Sequence, residues 1–205
     1  MTIPTIDANS SLTDVMGFFG SDKSTALGWH DYTDVYERLV GERKDWPLNI
    51  LEVGIGSTDP SIPGHVAKSG ASLRGWHHYF PNARIFGADI DPTVMIRGID
   101  RISTVVVDQR SEASLQHLLQ QFPGPFDLIV DDGVHETVAT LTTMSNLLPA
   151  LRPGGFYTVE SVLDPNRLEI VLPAVANFHR CQWQVLRLPH PNNRVDNNMA
   201  LLTKQ

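Results

Sequence analysis

Four ionisable side chains lie within six residues, directly after the apolar run Leu128–Val130: Asp131, Asp132, His135 and Glu136. An apolar run of this length predicts a buried strand, so these groups stand at the mouth of a hydrophobic sheet. Charge in such a place costs free energy that metal binding or catalysis usually offsets. A histidine, with an ordinary pKa of about 6.5, can accept a proton at physiological pH. His135 is therefore a candidate general base, and a hydrogen-bonded cap at the strand end is its alternative role.

A second predicted strand, within Leu151–Glu160, also closes on an acid. If the two strands are neighbours in a doubly wound sheet, Asp132 and Glu160 lie side by side at its carboxyl edge. Two hard oxygen ligands, completed by waters and a bidentate substrate, suit Mg²⁺. The pair therefore predicts a metal site, and a hydrogen-bonded acid pair without metal is the alternative.

The stretch Leu48–Gly56 predicts a strand that ends in Glu52 and in two glycines one residue apart, Gly54 and Gly56. Such a turn lets bare backbone approach a ligand beside the donor-rich start of a helix. A dinucleotide-binding fingerprint needs a third glycine at the position where this chain has Asp59. It also needs an acid about 20 residues further on, and the next strand-ending acid of this chain, Asp89, lies well beyond that distance. The pattern thus favours another kind of nucleotide cradle, with a plain strand-to-helix turn as the alternative.

Further polar residues follow the next strands. Asp89 closes the second strand, where a carboxylate can accept both hydroxyls of a ribose. Asp91 precedes a proline and also suits a turn or a helix cap, while Ser72 stands near the start of the next predicted helix. Asp108 and Gln109 follow the third strand and could bind an adenine edge or form a surface turn. The loop 57–70 is expected over the ligand crevice, as loops at this edge of a parallel sheet are.

An amphipathic helix precedes the first strand, with Tyr32, Val35, Tyr36 and Leu39 on one face. This face either packs on the core or belongs to a lid over the pocket. In the second case His30, Tyr32 and Tyr36 are candidate substrate contacts.

Composition limits the class of protein. The 205 residues, 41% of them hydrophobic, suffice for one domain with a core. A net charge of −7 and the lack of a Lys/Arg cluster argue against nucleic acid as a partner. Cys181 is the single cysteine, so an intrachain disulfide is excluded and a reducing compartment is expected. No leader-like or membrane-spanning run is found in the sequence, which predicts a cytoplasmic protein without membrane contact.

Strands alternate with helices along the chain, which predicts an α/β fold. The expected architecture is Rossmann-like: a mostly parallel seven-stranded sheet with helices on both faces. Residues 183–188 and 199–203 are expected as an antiparallel pair at the C-terminal edge. The helix before them, within 163–178, is expected to be interrupted at Pro173.

Several short motifs occur in one order across residues 17–161. They are Gly20-Ser-Asp-Lys, His30/Tyr32/Tyr36-Glu37, Leu51-Glu-Val-Gly-Ile-Gly, Gly70-Ala-Ser-Leu-Arg-Gly-Trp, Gly87-Ala-Asp-Ile, Asp108-Gln109, Asp131-Asp-Gly-Val-His and Gly154-Gly-Phe-Tyr-Thr-Val-Glu. Together they resemble the metal-dependent sugar O-methyltransferases of mycinamicin and macrocin biosynthesis. The resemblance implies the class I fold of enzymes that use S-adenosylmethionine (SAM).

The resemblance also implies roles for individual residues. Asp132 and Glu160 match the positions that bind Mg²⁺, and His135 matches the proton acceptor. The family has Glu-Asp where this chain has Glu160-Ser161, so Ser161, Asp131 or water is left as the third metal ligand. The candidate SAM contacts are Glu52, Gly54, Gly56, Ser72, Asp89, Asp91, Asp108, Gln109 and Asp131.

The function that the resemblance implies is methylation of a hydroxyl of a small saccharide or oligosaccharide. Within the family, the short length favours a methylated mannoside as acceptor, in polysaccharide biosynthesis. Residues 1–47 are expected to form a helical arm and lid, and 48–205 the SAM-binding catalytic domain. Alternatives are an NAD-dependent oxidoreductase, an O-methyltransferase acting on a non-sugar diol or catechol, a hydroxylase-type metalloenzyme, or a non-catalytic binding domain. The oligomeric state is left open, with a homodimer among the arrangements.

Overall fold

The computed structural model of the protein describes residues 6–57 and 68–205. Most of the loop expected at 57–70 thus lies outside the described residues. Within them, the helices are α1 (Leu12–Phe19), α2 (Tyr32–Val40), α3 (Ala71–Tyr79), α4 (Glu112–Gln121), α5 (Thr137–Leu147) and α6 (Pro165–Phe178). None of these helices has the length and apolar character that crossing a membrane requires.

The strands of the described residues are β1 (Asn49–Val53), β2 (Arg84–Asp89), β3 (Ile102–Val106), β4 (Phe126–Asp131), β5 (Leu151–Val159), β6 (Cys181–Arg187) and β7 (Asn198–Lys204). They form one sheet in the order β3-β2-β1-β4-β5-β7-β6. Strands β1 to β5 pair in parallel, and β7 pairs antiparallel with both β5 and β6. The expected α/β architecture with its antiparallel C-terminal edge is confirmed.

Helices cover both faces of the sheet, because successive residues of a strand point to opposite sides. Ile50 joins a cluster with Tyr36 and Trp76, to which α1, α2 and α3 contribute. Leu51, the next residue, joins a second cluster with Leu115, to which α4, α5 and α6 contribute. The central strands β1 and β4 are buried along their whole length, which explains their almost continuous apolar runs.

Helix α6 continues through Pro173, so the expected interruption at that residue is wrong. Proline lacks the N–H that would bond the carbonyl of Glu169, and the helix loses one hydrogen bond there. Leu168, Leu172 and Ala176 are buried at four-residue spacing on both sides of the proline. This stripe packs against the second hydrophobic cluster and holds the helix together across the gap.

Trp76 on α3 is the largest fully buried side chain among the described residues. Its ring meets Tyr36 at a centroid distance of 5.1 Å and Phe80 at 6.1 Å. We expect Trp76→Ala to lower the free energy of unfolding by about 3–5 kcal/mol, since it removes a large apolar group and leaves a cavity. Urea denaturation measures this value. Trp76→Phe keeps a ring in the site and should lose clearly less; an equal loss for both variants would contradict the packing role.

Candidate active site

A cleft of about 490 Å³ lies at the carboxyl edge of the parallel strands. Its walls come from the ends of β1, β2 and β4, from the turn after β3, and from the segment between α1 and α2. This volume suits a small molecule or a cofactor, and this edge of a doubly wound sheet is where such ligands bind. The predicted site residues on its walls are His30, Glu52, Gly54, Gly56, Ser72, Asp89, Asp91, Asp108, Gln109, Asp132 and His135, together with Ser161.

The glycine turn after β1 is shaped by a close approach of two backbones. Gly54 has a φ of 85°, and a Cβ there would lie 2.0 Å from the carbonyl oxygen of Asp132. Gly56 has a φ of 114°, with the Cα of Ser69 3.0 Å from a built Cβ. Neither position admits a side chain without strain or displacement of backbone. The turn therefore brings the end of β4 close to the floor of the cleft.

Asp89 is held in position at the end of β2. One carboxylate oxygen accepts the N–H of Ile55 at 2.8 Å and the other accepts the N–H of Asp91 at 3.0 Å. Burial raises the pKa of Asp89, and these two bonds oppose the rise. An oriented carboxylate with lone pairs left over can still accept hydroxyl groups from a ligand in the cleft.

Asp91 and Gln109 also serve the local structure. Asp91 accepts the N–H of Thr93 at 2.8 Å and caps a short 3₁₀ turn, in line with the cap role that the sequence suggested. Gln109 accepts the N–H of Val134 at 2.7 Å and donates to Asp131, so its amide ties the end of β3 to the loop after β4. Both residues border the cleft.

Asp131 does not line the cleft. Its two carboxylate oxygens accept from Gln109 at 3.2 Å and from the hydroxyl of Tyr157 at 3.1 Å. Burial raises the pKa of Asp131 to about 7, against these two hydrogen bonds. The geometry does not support the predicted contact of Asp131 with a cofactor, nor its use as a third metal ligand. Side-chain alternation explains this, because Asp131 and Asp132 point to opposite sides of the chain.

A buried acid cluster lies behind the wall of the cleft, with two of its three members, Glu52 and Asp132, on that wall. It consists of Glu52, Asp132 and Glu160, and all three carboxylates surround the ammonium of Lys23. The Nζ atom lies 2.7 Å from Glu160 Oε2 and 3.4 Å from Glu52 Oε1, and it also donates to Asp132 Oδ2. Asp132 and Glu160 thus lie side by side, as the sequence predicted from adjacent strands.

The charges in this cluster influence each other strongly. Burial alone would lower the pKa of Lys23, but the carboxylates, Asp132 foremost, raise it well above its ordinary value. Burial acts to raise the pKa of Asp132, yet the Lys23 ammonium and His135 bring it below the usual range. Burial raises the pKa of Glu160 well above the usual range despite the opposing effect of Lys23. Lys23 is therefore the charge on which the cluster depends.

Glu52 has its remaining hydrogen bonds satisfied by α3. Its Oε1 accepts from the Ser72 hydroxyl at 2.6 Å, and its Oε2 accepts from the indole N–H of Trp76 at 2.7 Å. Ser72 therefore positions Glu52 in addition to bordering the cleft.

Tyr32 and Tyr36 are fully buried beneath the cleft. The hydroxyl of Tyr36 donates to Glu160 Oε1, and that of Tyr32 donates to the carbonyl of Asp196 at 2.8 Å and accepts the N–H of Ser161 at 2.9 Å. Their placement corresponds to the core-packing alternative and leaves these hydroxyls no direct path to a substrate.

His30 lies at the wall of the cleft and stacks on Tyr32 at a centroid distance of 4.5 Å. Its ring nitrogens face the carboxylates of Asp22 and Asp196 at 3.8 and 3.5 Å. Both distances exceed those of ordinary hydrogen bonds, so a polar ligand group can compete for the imidazole.

His135 stands in the loop after β4 with a φ of 55°, a left-handed conformation that few residues other than glycine adopt, although histidine is among those that do. It borders the cleft and also a second cavity of about 400 Å³ between the start of α5, the end of β5 and the start of α6. Ser161 borders both spaces as well. The imidazole therefore stands where a ligand in the cleft and a molecule in the second cavity would meet.

Lys23 is the site residue that the sequence reasoning missed. It falls within the motif Gly20-Ser-Asp-Lys, which by itself indicates no role for the lysine. A lysine between a short helix and a turn is ordinarily a solvated surface residue. The available signal was the excess of acids at the strand ends, because buried carboxylates need a compensating cation.

No protein-family model matches the chain. It is 38% identical over 143 residues to the 8-demethyl-8-alpha-L-rhamnosyl tetracenomycin-C 2'-O-methyltransferase of Streptomyces olivaceus, a match that covers 70% of this chain and 35% of that protein. It is 32% identical over 151 residues to the mycinamicin VI 2''-O-methyltransferase of Micromonospora griseorubida, covering 74% and 36%. The chain thus spans about a third of the length of these curated relatives.

A solved structure with the same fold is the MycE methyltransferase from the mycinamycin biosynthetic pathway, in complex with Mg and SAH. It superposes with a TM-score of 0.72 at 25% sequence identity, over 95% of this chain and 55% of that one. The shared architecture is that of the class I methyltransferases.

Proposed function

Because the chain has the class I methyltransferase fold and is related in sequence to sugar O-methyltransferases, we propose that it transfers the methyl group of SAM to a hydroxyl of a saccharide. The observation that carries the proposal is the juxtaposition of Asp89, Asp132 and His135 on the walls of one cleft. The first is placed to hold a nucleoside and the other two to handle an acceptor hydroxyl. The fold alone would not distinguish this activity from others.

The cofactor is proposed to lie over the glycine turn. Asp89 would accept hydrogen bonds from the ribose hydroxyls. Gly54 and Gly56 have no side chains, so the amino-acid portion of SAM could lie close to the backbone at the strand end. Asp108 and Gln109 are the nearest polar groups for an adenine edge. The solved relative was crystallised with SAH, the product that remains when SAM has given up its methyl group.

The residues present fit a divalent cation. Three carboxylates already converge on a positive charge, and Asp132 and Glu160 offer the hard oxygens that Mg²⁺ prefers. No cluster of three or more His, Cys, Asp and Glu side chains with the arrangement of a metal site occurs within residues 6–57 and 68–205. Glu52 accepts hydrogen bonds from Ser72 and Trp76, so Asp132 and Glu160 would be the two protein ligands, with water, Ser161 or acceptor oxygens completing the shell. When bound, such an ion stabilises the negative charge that develops on the acceptor oxygen.

His135 is proposed as the general base. A sugar hydroxyl is a poor nucleophile at neutral pH, and the imidazole would take its proton as the oxygen attacks the methyl carbon. SAM, when bound, would supply the methyl group, and cleavage of its carbon–sulfur bond would balance the new C–O bond. The walls of the cleft would align oxygen, carbon and sulfur, and this alignment supplies much of the acceleration.

The acceptor is proposed to enter through the second cavity, which His135 and Ser161 share with the cleft. Arg167, Asp164 and Glu136 border that cavity and offer donors and acceptors suited to sugar hydroxyls. The names of the curated relatives specify rhamnosyl and mycinamicin acceptors for those proteins. A methylated mannoside as the acceptor of this chain stays a prediction.

The proposal is tested by methyl transfer from isotopically labelled SAM to a panel of mono- and oligosaccharides, with and without EDTA. Transfer to a saccharide that EDTA suppresses and Mg²⁺ restores would support it. Transfer to catechols alone would instead favour the non-sugar alternative. Transfer that EDTA leaves unchanged would remove the metal from Asp132 and Glu160.

We expect Asp89→Asn to raise the Kd for SAM about 10- to 100-fold, because a hydrogen bond to a charged group contributes about 1.5–3 kcal/mol. Isothermal titration measures the change. Asparagine keeps one acceptor for the N–H of Ile55, so the fold should persist. Asp34→Asn, an exposed acid on α2 outside the cleft, is the matched control and should bind SAM like the wild type. Equal affinities for both variants would exclude Asp89 from the ribose site.

A further inference from the structure

Lys23 is an unusual lysine, since its side chain is 2% exposed. Lysine is almost never fully buried unless its charge is paired. Here the ammonium is surrounded by Glu52, Asp132 and Glu160, which come from the ends of three different strands. The contacts with Asp132 and Glu160 join residues 109 and 137 positions apart in the chain. The lysine therefore connects the N-terminal segment to the centre of the sheet edge.

The position of Nζ coincides with the space that a cation shared by Asp132 and Glu160 would need. Glu160 directs one oxygen to Lys23 and the other to the hydroxyl of Tyr36. Asp132 directs Oδ2 to Lys23. With Lys23 in place, both oxygens of Glu160 already accept a hydrogen bond, and the ammonium lies between the two carboxylates, so an ion that contacts both would take the place of the ammonium.

The chain allows the side chain of Lys23 to move while its backbone stays. The carbonyl of Lys23 accepts the N–H of Thr33 at 3.1 Å, which fixes the main chain beside α2. The side chain has four rotatable bonds and borders the cleft, so the ammonium has an aqueous space to enter. Displacement would therefore cost local ion pairs and would leave the fold intact.

We propose that Lys23 is an internal cation that occupies the divalent-ion position between Asp132 and Glu160, and that Mg²⁺ binds there by displacing its ammonium. The inference rests on the metal site of the proposed function, and it assigns Lys23 a positioning role. In the metal-free protein the lysine keeps the two carboxylates together and compensates their charge. It also competes with the ion and lowers its apparent affinity.

The first test uses the wild-type protein and an amine-acetylating reagent at equal ionic strength, with MgCl₂ or with NaCl. Mass spectrometry follows the four lysines, Lys23, Lys44, Lys68 and Lys204. Lys23 should be protected without Mg²⁺ and should react at least about tenfold faster at saturating Mg²⁺, since displacement exposes it. The other three lysines should react alike under both conditions. Continued protection of Lys23 at saturating Mg²⁺ would overturn the proposal.

The second test measures Mg²⁺ binding to Lys23→Met by isothermal titration. Methionine keeps much of the side-chain volume and removes the competing charge, so the Kd should fall at least about tenfold relative to the wild type. Lys68→Met is the control, because Lys68 is an exposed lysine of the same cleft and reports the general effect of removing one positive charge. An unchanged or weaker affinity in Lys23→Met would contradict displacement.

Both readouts are independent of SAM and of any acceptor, so they separate this inference from the methyl-transfer proposal. If Lys23→Met does not fold without metal, the labelling experiment on the wild type still decides. Absence of Mg²⁺ binding in both the wild type and Lys23→Met would overturn the inference, whether or not the chain transfers methyl groups.

Discussion

Replacing His135 by asparagine is expected to lower kcat for methyl transfer about 10²- to 10⁴-fold, the usual contribution of a positioned general base. Asparagine is the appropriate replacement because His135 has a φ of 55°, and asparagine tolerates the left-handed conformation better than alanine does. The Kd for SAM should change little, since the imidazole is assigned to the acceptor hydroxyl. Steady-state kinetics with separate titration of SAM measures both quantities.

His117→Asn is the matched control for this prediction. His117 is an exposed histidine of α4 that does not border the cleft, so its replacement should leave kcat unchanged. Raising the pH should restore part of the lost rate in His135→Asn, because deprotonation of the acceptor by hydroxide then replaces the base. A variant with wild-type kcat across the pH range would reject His135 as the base and support its role as a cap.

Asp132→Asn is expected to weaken Mg²⁺ binding at least about 100-fold and to lower kcat correspondingly. Residues that only hydrogen-bond to a metal ligand already contribute about 10- to 100-fold to metal affinity, so loss of a charged ligand should cost at least as much. Asp132 is also the carboxylate that contributes most to holding the Lys23 charge. Isothermal titration with Mg²⁺ and activity with added metal measure the two effects.

Asp131→Asn separates this prediction from a general loss of charge at the end of β4. Asp131 is the neighbouring acid, but its oxygens face Gln109 and Tyr157 and not the cleft. Its amide variant should bind Mg²⁺ like the wild type. If both variants lose the same Mg²⁺ affinity, Asp132 acts only through the negative charge it adds to the site. That result would remove Asp132 from the proposed metal ligands.

The fold could be predicted because the sequence patterns that indicate its strands and turns lie within short stretches of the chain. The strands β1 and β4 are largely apolar because both of their faces are buried, and glycines and acids lie where the strands end. The antiparallel pair β6 and β7 was likewise visible as two strands joined by a polar loop. Pro173 misled because the apolar stripe of α6 outweighs the loss of one hydrogen bond.

The interior of the site was harder to predict because its contacts are distant in sequence. No periodicity distinguishes Lys23 from a surface lysine, and its burial becomes evident only when β1, β4 and β5 converge. Asp131 and Asp132 look equivalent in the sequence, whereas alternation along the strand sends one into a hydrogen-bonded interior network and the other to the cleft. The hydroxyls of Tyr32 and Tyr36 similarly proved to be bonded within the protein.

Isothermal titration of SAM into the wild-type protein, with NAD⁺ as the comparison, shows directly whether this cleft binds SAM. We expect saturable SAM binding with one site per chain and a micromolar Kd, weakened in Asp89→Asn, and no heat of binding with NAD⁺. Saturable binding of NAD⁺ without binding of SAM would contradict this expectation and would assign the cleft to the dinucleotide alternative.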